Sequence, residues 1–207
     1  MTYVLIALLV ALVAPLLTAS WRISLVSLGA QGLLMTALVA GRGWPTTASG
    51  AVLLVDLFVL RTWFVPRHLI RILRSQDLPV GDDLIPANLL SWTLAGAAVL
   101  VAFRFATYVE PGGGDALVLV AVATAGVLLG FLILGSQVSV FSQIVGVLRV
   151  EYAVGLLELA AGREPSLPVQ LGTTAVLFLS VLTLGSFLRR FGAAESGASA
   201  AAGGSTP

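Results

Sequence analysis

Residues 138–162, VSVFSQIVGVLRVEYAVGLLELAAG, are long and apolar enough to cross a lipid bilayer, yet they include Arg149, Glu151 and Glu158. A charge at the bilayer midplane costs about 2.5–3.5 kcal/mol even on the lenient insertion scales. Chains that keep such charges pair them inside a helix bundle or use them to move protons or ions. The segment therefore predicts a transmembrane helix bundle and indicates where its function resides.

The composition of the whole chain agrees with a membrane protein. Of its 207 residues, 58% are hydrophobic and only 10% are charged, and the mean hydropathy is +1.03. A soluble domain has about 45–50% apolar and about 25% charged residues, so the solvent of this chain is mostly lipid. The formal net charge of +1 argues against a nucleic-acid partner.

The composition also limits the kinds of site that the chain can hold. It has no cysteine, which excludes disulfides, thiolate metal ligands and cysteine nucleophiles. His68 is its single histidine, so there is no imidazole cluster for a metal or a haem. No phosphate-binding glycine loop, GxSxG elbow or HExxH motif is present. We therefore predict no catalytic residue, no cofactor and no metal in this chain.

Seven stretches approach the length of about 20 apolar residues that a transmembrane helix needs. Helices satisfy their own backbone groups in lipid, and the stretches are too long for barrel strands. The sequence thus predicts an all-α, polytopic transmembrane bundle of about seven spans. The predicted spans are residues 3–18, 23–40, 51–66, 88–106, 115–136, 138–161 and 167–188.

The two ends of the chain need separate interpretation. The start, MTYVLIALLVALVAPLLTAS, resembles a signal peptide but lacks a basic region before its apolar core. Because more apolar spans follow at once, we interpret it as a retained first helix. Residues 192–207, GAAESGASAAAGGSTP, are small and polar and are predicted to form a disordered tail.

Seven spans distribute the arginines unevenly between the two sides of the membrane. An excess of basic residues marks the cytoplasmic side. We therefore predict a protein of the plasma (inner) membrane with its N-terminus outside and its C-terminus in the cytoplasm. The arginines on the predicted cytoplasmic side are Arg22, Arg67, Arg71, Arg74, Arg189 and Arg190, whereas Arg42, Arg163 and Arg104 fall at or near the other side.

The basic segment RHLIRILRSQ, residues 67–76, follows Pro66. Its leucines and isoleucines alternate with arginines at helical spacing, as in an interfacial helix. Two interpretations stay open. The segment is either a loop that obeys the positive-inside rule or a docking surface for a cytoplasmic partner.

Two glutamates of the sixth span are the candidates for a proton relay. Glu151 and Glu158 are seven residues apart, which puts them on one helix face about 10 Å apart along the axis. Arg149 points nearly opposite to Glu151. A carboxyl group between apolar surroundings and an arginine can load and release a proton. The alternatives are an Arg–Glu pair that fixes helix packing for Glu151, and a solvated helix-end carboxylate for Glu158.

Other polar residues inside the spans are predicted to be charge or hydrogen-bond partners. Gln31 lies in the second span, and Asp56 and Arg61 lie in the third. At about 100° per residue Asp56 and Arg61 point about 140° apart, so we expect them to be poor partners on one helix. Each is expected to find its partner on a neighbouring helix, Asp56 with an arginine. Arg149 belongs to the same group of predicted partners.

Four segments carry a resemblance to a known family. SQVSVFSQIVGVLRVEYAVGLLELAAG (136–162) resembles the stretch of hydrogenase-4 component E proteins in which a Ser/Gln-led turn enters a glutamate-bearing helix. WRISLVSLGAQGLL (21–34) is similar to an early span with an arginine before it and a glutamine within it. LRTWFVP (60–66) matches a span with a lysine four residues before Val-Pro, and PSLPVQLGTTAVLF (165–178) is in register with the last span. The resemblance covers about residues 3–190.

The resemblance implies a membrane subunit of group 4 nickel–iron hydrogenase and formate hydrogenlyase-type complexes, which are relatives of respiratory complex I. Its partners would be antiporter-like and other membrane subunits within the lipid bilayer, and the peripheral arm of the complex would hold the metals. The chain would then be a non-catalytic subunit of an oxidoreductase complex. The helix with Glu151 is also similar to the buried-glutamate helix of the small K-type subunit of complex I, which implies a role in proton translocation.

The chain departs from the family pattern at several positions. Tyr152-Ala153 stands where the family has Asn-Gly after the glutamate. Arg61 stands where the family has a lysine, and arginine holds its proton more firmly than lysine does. In the last span, Gln170 stands where the family has an acidic residue, and Val176 stands where the family has an aspartate. These departures keep two alternatives open: a purely structural subunit of another complex I-like assembly, or a stand-alone small transporter.

Overall fold

The computed structural model describes residues 1–17, 21–43, 46–74, 89–136, 140–162 and 166–203. Within these ranges the chain forms seven helices and no strand, which confirms the predicted all-α fold. The helices are α1 (Thr2–Leu17), α2 (Trp21–Gly41), α3 (Ala48–Arg74), α4 (Leu89–Val109), α5 (Gly114–Ser136), α6 (Val140–Ala160) and α7 (Leu167–Gly203).

Six of the described helices, α2 to α7, are long and apolar enough to cross a membrane. Helix α1 is apolar but has only 16 residues. At 1.5 Å per residue it reaches about 24 Å, which is less than the hydrocarbon core of about 30 Å. The chain is therefore an integral membrane protein in which six of the seven predicted spans reach spanning length.

Helix α3 combines two kinds of helical turn, α and π, in one continuous rod. It begins after Thr47, whose hydroxyl accepts a hydrogen bond from the N–H of Gly50 and so caps the first turn. Its three parts are the α-helical Ala48–Val55, the π-helical Asp56–Phe64 and the α-helical Val65–Arg74.

The end of α3 corrects the predicted boundary of the third span. The span was predicted to end at residue 66, yet the helix continues to Arg74, so residues 67–74 do not form a loop between spans. The segment is amphipathic: Leu69 and Ile72 are buried and the arginines are exposed. Burial of that apolar stripe holds it against the bundle as a helix. Residues 75 and 76 lie outside the described residues.

Helix α1 belongs to the core of the bundle. Its leucines at spacings of three and four residues are all buried: Leu5, Leu8, Leu12 and Leu16. This stripe is the apolar face expected of a helix that packs against others. The segment that resembles a signal peptide is thus a packed element of the fold.

Helices α5 and α6 form a tightly packed antiparallel hairpin. A Cβ at Gly126 would lie 2.9 Å from the Cβ of Ala153, and one at Gly130 would lie 2.6 Å from Cγ2 of Val150. Small residues at such positions let membrane helices approach closely. Most of α5 and α6 is consequently buried, including Arg149 of α6.

Contacts between helix ends show that the helices alternate in direction. The amino group of Met1 is 3.7 Å from Oδ2 of Asp115, so α1 and α5 begin at the same end of the bundle. Nη1 of Arg42 donates to the carbonyl of Leu159 at 2.8 Å, so the C-termini of α2 and α6 lie together at one end of the bundle. A Cβ at Gly41 would lie 3.6 Å from Cε of Met1, so these two pairs of helix ends lie at the same end of the bundle. We call it the Met1 end. The opposite end of the bundle is the arginine end, which carries Arg67, Arg71 and Arg74.

The last helix extends beyond the predicted limit of the folded part. The composition predicts a tail from residue 192, whereas α7 continues to Gly203. Alanine is the strongest helix former, and the alanines among residues 193–202 explain the continuation. Residues 204–207 lie outside the described residues.

Candidate functional site

The interior of the bundle holds an ion pair between Asp56 and Arg61. Nε of Arg61 lies 2.9 Å from Oδ2 of Asp56, and the two residues are only 5% and 1% exposed, respectively. Both lie on α3, so the prediction that they are poor partners on one helix is wrong. An angle of about 140° applies to an α-helix. Asp56–Phe64 is π-helical, and a π-helix bonds residues five apart, so side chains five residues apart lie close to one face.

The π-helical part ends at a proline that leaves one carbonyl without a donor. The N–H of Val65 bonds to the carbonyl of Leu60, five residues earlier. The next residue, Pro66, has no N–H, so the Arg61 carbonyl receives no bond in this register. The hydroxyl of Tyr152, on α6, donates to that carbonyl at 2.8 Å. Tyr152 thus replaces the missing backbone donor and joins α6 to α3.

The Arg61 side chain makes a second connection to α6. Its guanidinium carbon lies 4.9 Å from the centre of the Tyr152 ring, and Nη1 is 3.5 Å from the carbonyl oxygen of Glu151. A Cβ at Gly155 would lie 3.3 Å from Nη1, so the absence of a side chain there leaves room for the guanidinium. Arg61 therefore rests on the turn of α6 that carries Glu151.

Two glycines of α2 bring that helix directly against the π-helical part of α3. A Cβ at Gly32 would lie 2.9 Å from the carbonyl carbon of Arg61 and from the nitrogen of Thr62. A Cβ at Gly29 would lie 3.2 Å from the Thr62 carbonyl oxygen. Because the atoms met are backbone, no side-chain rotation could relieve the contact. The close approach fixes the position from which Arg61 reaches α6.

A small polar cavity adjoins the ion pair. It measures about 20 Å³, which is enough for about one water molecule. Oδ1 of Asp56 is buried and has no hydrogen-bond partner among the described residues. Asp56 therefore shares the lining of this cavity with polar residues of α6 and α7. The polar residues that line it are Asp56, Arg61, Glu158, Gln170 and Thr173.

The two relay candidates lie in different surroundings. Glu158 is exposed near the Met1 end and lines the cavity with Asp56. Glu151 is half-buried, and its carboxylate forms no ion pair with a described residue, although the charges of Arg61 and Asp56 act on it. The structure thus brings Asp56, Arg61 and Glu158 together at one cavity and places Glu151 beside Arg61.

Arg149 points away from Glu151, as the spacing predicts, and is 1% exposed. Its Nη1 donates to the carbonyl of Leu12 at 2.9 Å, and its Nη2 donates to the hydroxyl of Ser27. No carboxylate among the described residues pairs with it. Arg149 instead joins α6 to α1 and α2 through neutral acceptors.

Gln31 does not make the contact that was predicted for it. It is fully buried, and neither atom of its side-chain amide has a hydrogen-bond partner among the described residues. A buried amide without partners is costly. The structure therefore keeps Gln31 in the core but brings it to none of the buried charges.

Replacement of Arg149 by methionine should leave the bundle folded. The hydroxyl of Ser27 also donates to the carbonyl of Ser24 at 2.9 Å, and the Leu12 carbonyl lies within α1, so neither group loses its only bond. A buried charge without a counter-charge is costly, and an apolar residue of similar length removes that cost. We expect Arg149→Met to match the parent within about 1 kcal/mol in the free energy of unfolding, measured by SDS titration in mixed micelles. A loss of several kcal/mol would show that the arginine is essential for packing.

Several residues of the site have roles that the sequence analysis did not assign. Tyr152 could have been noticed as a hydroxyl-bearing aromatic residue inside a span, because such hydroxyls need a partner when buried. Pro66 could have been noticed as a missing donor five residues after Arg61. Gly32 and Gly155 carry no signal that separates them from the other glycines of the chain.

No group of three or more metal-ligating side chains occurs in the part of the chain that the structure describes. Comparison of the chain with protein-family models, with curated proteins and with solved structures finds no match. The geometry of the buried charges therefore carries the functional argument.

Proposed function

We propose that this chain is a membrane subunit of a hydrogenase-4/formate hydrogenlyase-type, complex I-like redox complex, and that it contributes to proton translocation or to assembly of the membrane arm. The observation that supports this most is the buried Asp56–Arg61 pair, which rests on the turn of α6 that carries Glu151. Ionisable side chains inside the membrane are expensive and mark ion and proton pathways. The redox chemistry would take place in partner subunits.

The order of the carboxyl groups along the bundle suggests how a proton would move. Glu158 is exposed and shares the polar cavity with Asp56. Glu151 lies about 10 Å further along α6, next to Arg61. Arginine keeps its proton, so the groups that can change charge in this cluster are the carboxyl groups. A proton that enters at Glu158 would pass the ion pair before it reaches Glu151.

A purely structural subunit is the alternative that one observation favours. Arg61 and Tyr152 connect α3 with α6 through two hydrogen bonds and a stacked contact, so the same cluster also holds the helices together. A stand-alone small transporter is the third proposal. It differs from the other two in needing no partner subunit.

The proposed partners are antiporter-like and other membrane subunits in the plasma membrane. Helices α4 and α7 have the least buried spanning segments of the bundle, so they offer the largest faces to lipid or to neighbouring subunits. The large apolar side chains exposed on them include Leu100, Val101, Phe105, Val176 and Leu179.

Purification in a mild detergent tests the proposal. A tagged chain expressed in its native membrane should elute in a large particle that contains antiporter-like membrane subunits and a metal-containing peripheral arm, identified by mass spectrometry. A structural subunit would give the same particle, and proton transport by a complex with Glu151→Gln separates the two roles. A functional monomer would contradict both and would favour the transporter.

The orientation is a prediction of its own. If the arginine end faces the cytoplasm, a reporter enzyme that is active only outside the cytoplasm should be silent when fused after Pro207. The same reporter inserted after Gly113, in the short connection at the Met1 end, should be active. The opposite pattern of activities would invert the orientation.

A further inference from the structure

The arginine end of α3 carries three positive charges on one face. Arg67, Arg71 and Arg74 are spaced by four and three residues, which aligns them on a helix. All three are exposed, and no carboxylate among the described residues pairs with them. A positive-inside end needs only an excess of arginine. An aligned set of three is more than that rule requires.

These arginines line a cleft that also has an apolar wall. The cleft measures about 500 Å³, a size typical of ligand sites. Its lining includes Trp63, Pro66, Arg67, Ile70, Arg71 and Arg74.

Trp63 forms the boundary between the two parts of the cleft. It is 58% exposed, and the guanidinium carbon of Arg67 lies 5.2 Å from the centre of its ring. Further from the arginine end, the same helix exposes Phe58 and Val59. Tryptophan is enriched where a membrane helix passes from hydrocarbon to headgroups. The apolar part of the cleft would therefore continue into the surface that faces the acyl chains, and its cationic part would lie at headgroup level.

We propose that this cleft binds an anionic phospholipid. The phosphate would lie among the guanidinium groups of Arg67, Arg71 and Arg74, because arginine binds phosphate through paired, charge-assisted hydrogen bonds. One acyl chain would lie over Trp63, Pro66 and Ile70. A soluble phosphate would use only the cationic part, and an acidic protein segment would not need an apolar wall that continues into the lipid-facing surface. The proposal does not depend on the proposed function.

Quenching of tryptophan fluorescence by brominated lipids tests this site in the full-length, reconstituted protein. Brominated phosphatidylglycerol is compared with brominated phosphatidylcholine in vesicles that contain both lipids, so that the relative association constant is measured. The parent should prefer phosphatidylglycerol. Trp63→Phe, which leaves the arginines in place, should abolish the lipid-specific difference in quenching.

The arginine variants measure how much of this preference comes from the cleft. The triple variant R67Q/R71Q/R74Q should lower the preference by up to about 100-fold, since each arginine near an anionic surface contributes a factor of about five. Arg190→Gln removes an exposed arginine near the same end but outside the cleft, and should change the preference by less than about five-fold.

Four results would overturn the proposal. Equal losses in the triple variant and in Arg190→Gln would mean non-specific attraction to the membrane. Full displacement of the lipid by millimolar inorganic phosphate would identify a site for free phosphate. Arginine-dependent binding of polyglutamate without any lipid preference would identify a face for an acidic protein. If the triple variant is not recovered folded, the comparison with Trp63→Phe decides. A lipid-specific difference in quenching that survives in Trp63→Phe also contradicts the proposal.

Discussion

Asp56→Asn should destabilise the protein by about 3–5 kcal/mol, because it leaves the buried Arg61 without its carboxylate partner. The asparagine fits the same space, so the effect comes from the lost charge rather than from a cavity. The free energy of unfolding of the purified variant, measured by SDS titration in mixed micelles, gives the loss directly.

Two further variants make this result specific to the buried pair. Asp115→Asn breaks the contact between Asp115 and the amino group of Met1, and both of these residues are partly exposed. The variant should therefore lose about 1 kcal/mol or less in the free energy of unfolding. Asp56→Asn combined with Arg61→Met removes both charges and should recover most of the lost stability. The account of the ion pair is wrong if Asp56→Asn is as stable as the parent, or if the double variant is no more stable than the single one.

Gly32→Ala should be the second severe change. The added Cβ would lie 2.9 Å from backbone atoms of Arg61 and Thr62, so α2 and α3 would have to move apart. Overpacking typically costs about 1–3 kcal/mol, and we expect the upper end of this range because backbone cannot rotate away. The same SDS titration measures the loss.

Gly96→Ala is the matched control for that change. Gly96 lies within α4, and nothing lies within 4 Å of the position of its Cβ. The substitution therefore changes only helix propensity and should stabilise by up to about 1 kcal/mol. If Gly32→Ala and Gly96→Ala changed the free energy of unfolding by similar amounts, α2 would not lie against α3 as closely as the structure indicates.

The fold could be predicted because the apolar stretches are long and are separated by loop signals. The six helices of spanning length lie where the hydropathy predicts them, since only helices satisfy the backbone in lipid one segment at a time. Residues 67–76 were compared with an interfacial helix because apolar residues alternate with arginines there, and a loop or a docking surface was left open. The helix passes through Pro66 because the hydroxyl of Tyr152 supplies a bond to the carbonyl that Pro66 leaves free.

The pairing inside the site could be predicted only in part. The sequence identifies Asp56 and Arg61 as buried charges, but every angle between residues rested on 3.6 residues per turn. The π-helical Asp56–Phe64 changes that spacing, and the residue types of this segment do not predict a π-helix. The opposite directions of Arg149 and Glu151 were predicted because α6 is a regular α-helix at that point.

The hydrogen bonds of Arg149, and the lack of a partner for Gln31 among the described residues, lay beyond sequence reasoning for a different reason. Each depends on how neighbouring helices rotate about their axes, and apolar helices in lipid have almost no amphipathic signal that fixes this rotation. Arg149 contacts α1 and α2 through neutral acceptors. A search for oppositely charged residues could not have found these contacts.

We propose that the chain takes part in proton coupling through Glu151. The most direct test is the number of protons moved per electron transferred, measured in inverted membrane vesicles that contain the complex with Glu151→Gln. Glutamine keeps the volume and an acceptor of glutamate but cannot ionise. Glu158→Gln, at the exposed end of the same helix face, serves as the comparison and should have the smaller effect.

We predict that the Glu151→Gln complex assembles, retains its rate of electron transfer and loses most of its proton transport. A complex that moves as many protons per electron as the parent would contradict the relay role and would leave the structural subunit as the account of this protein.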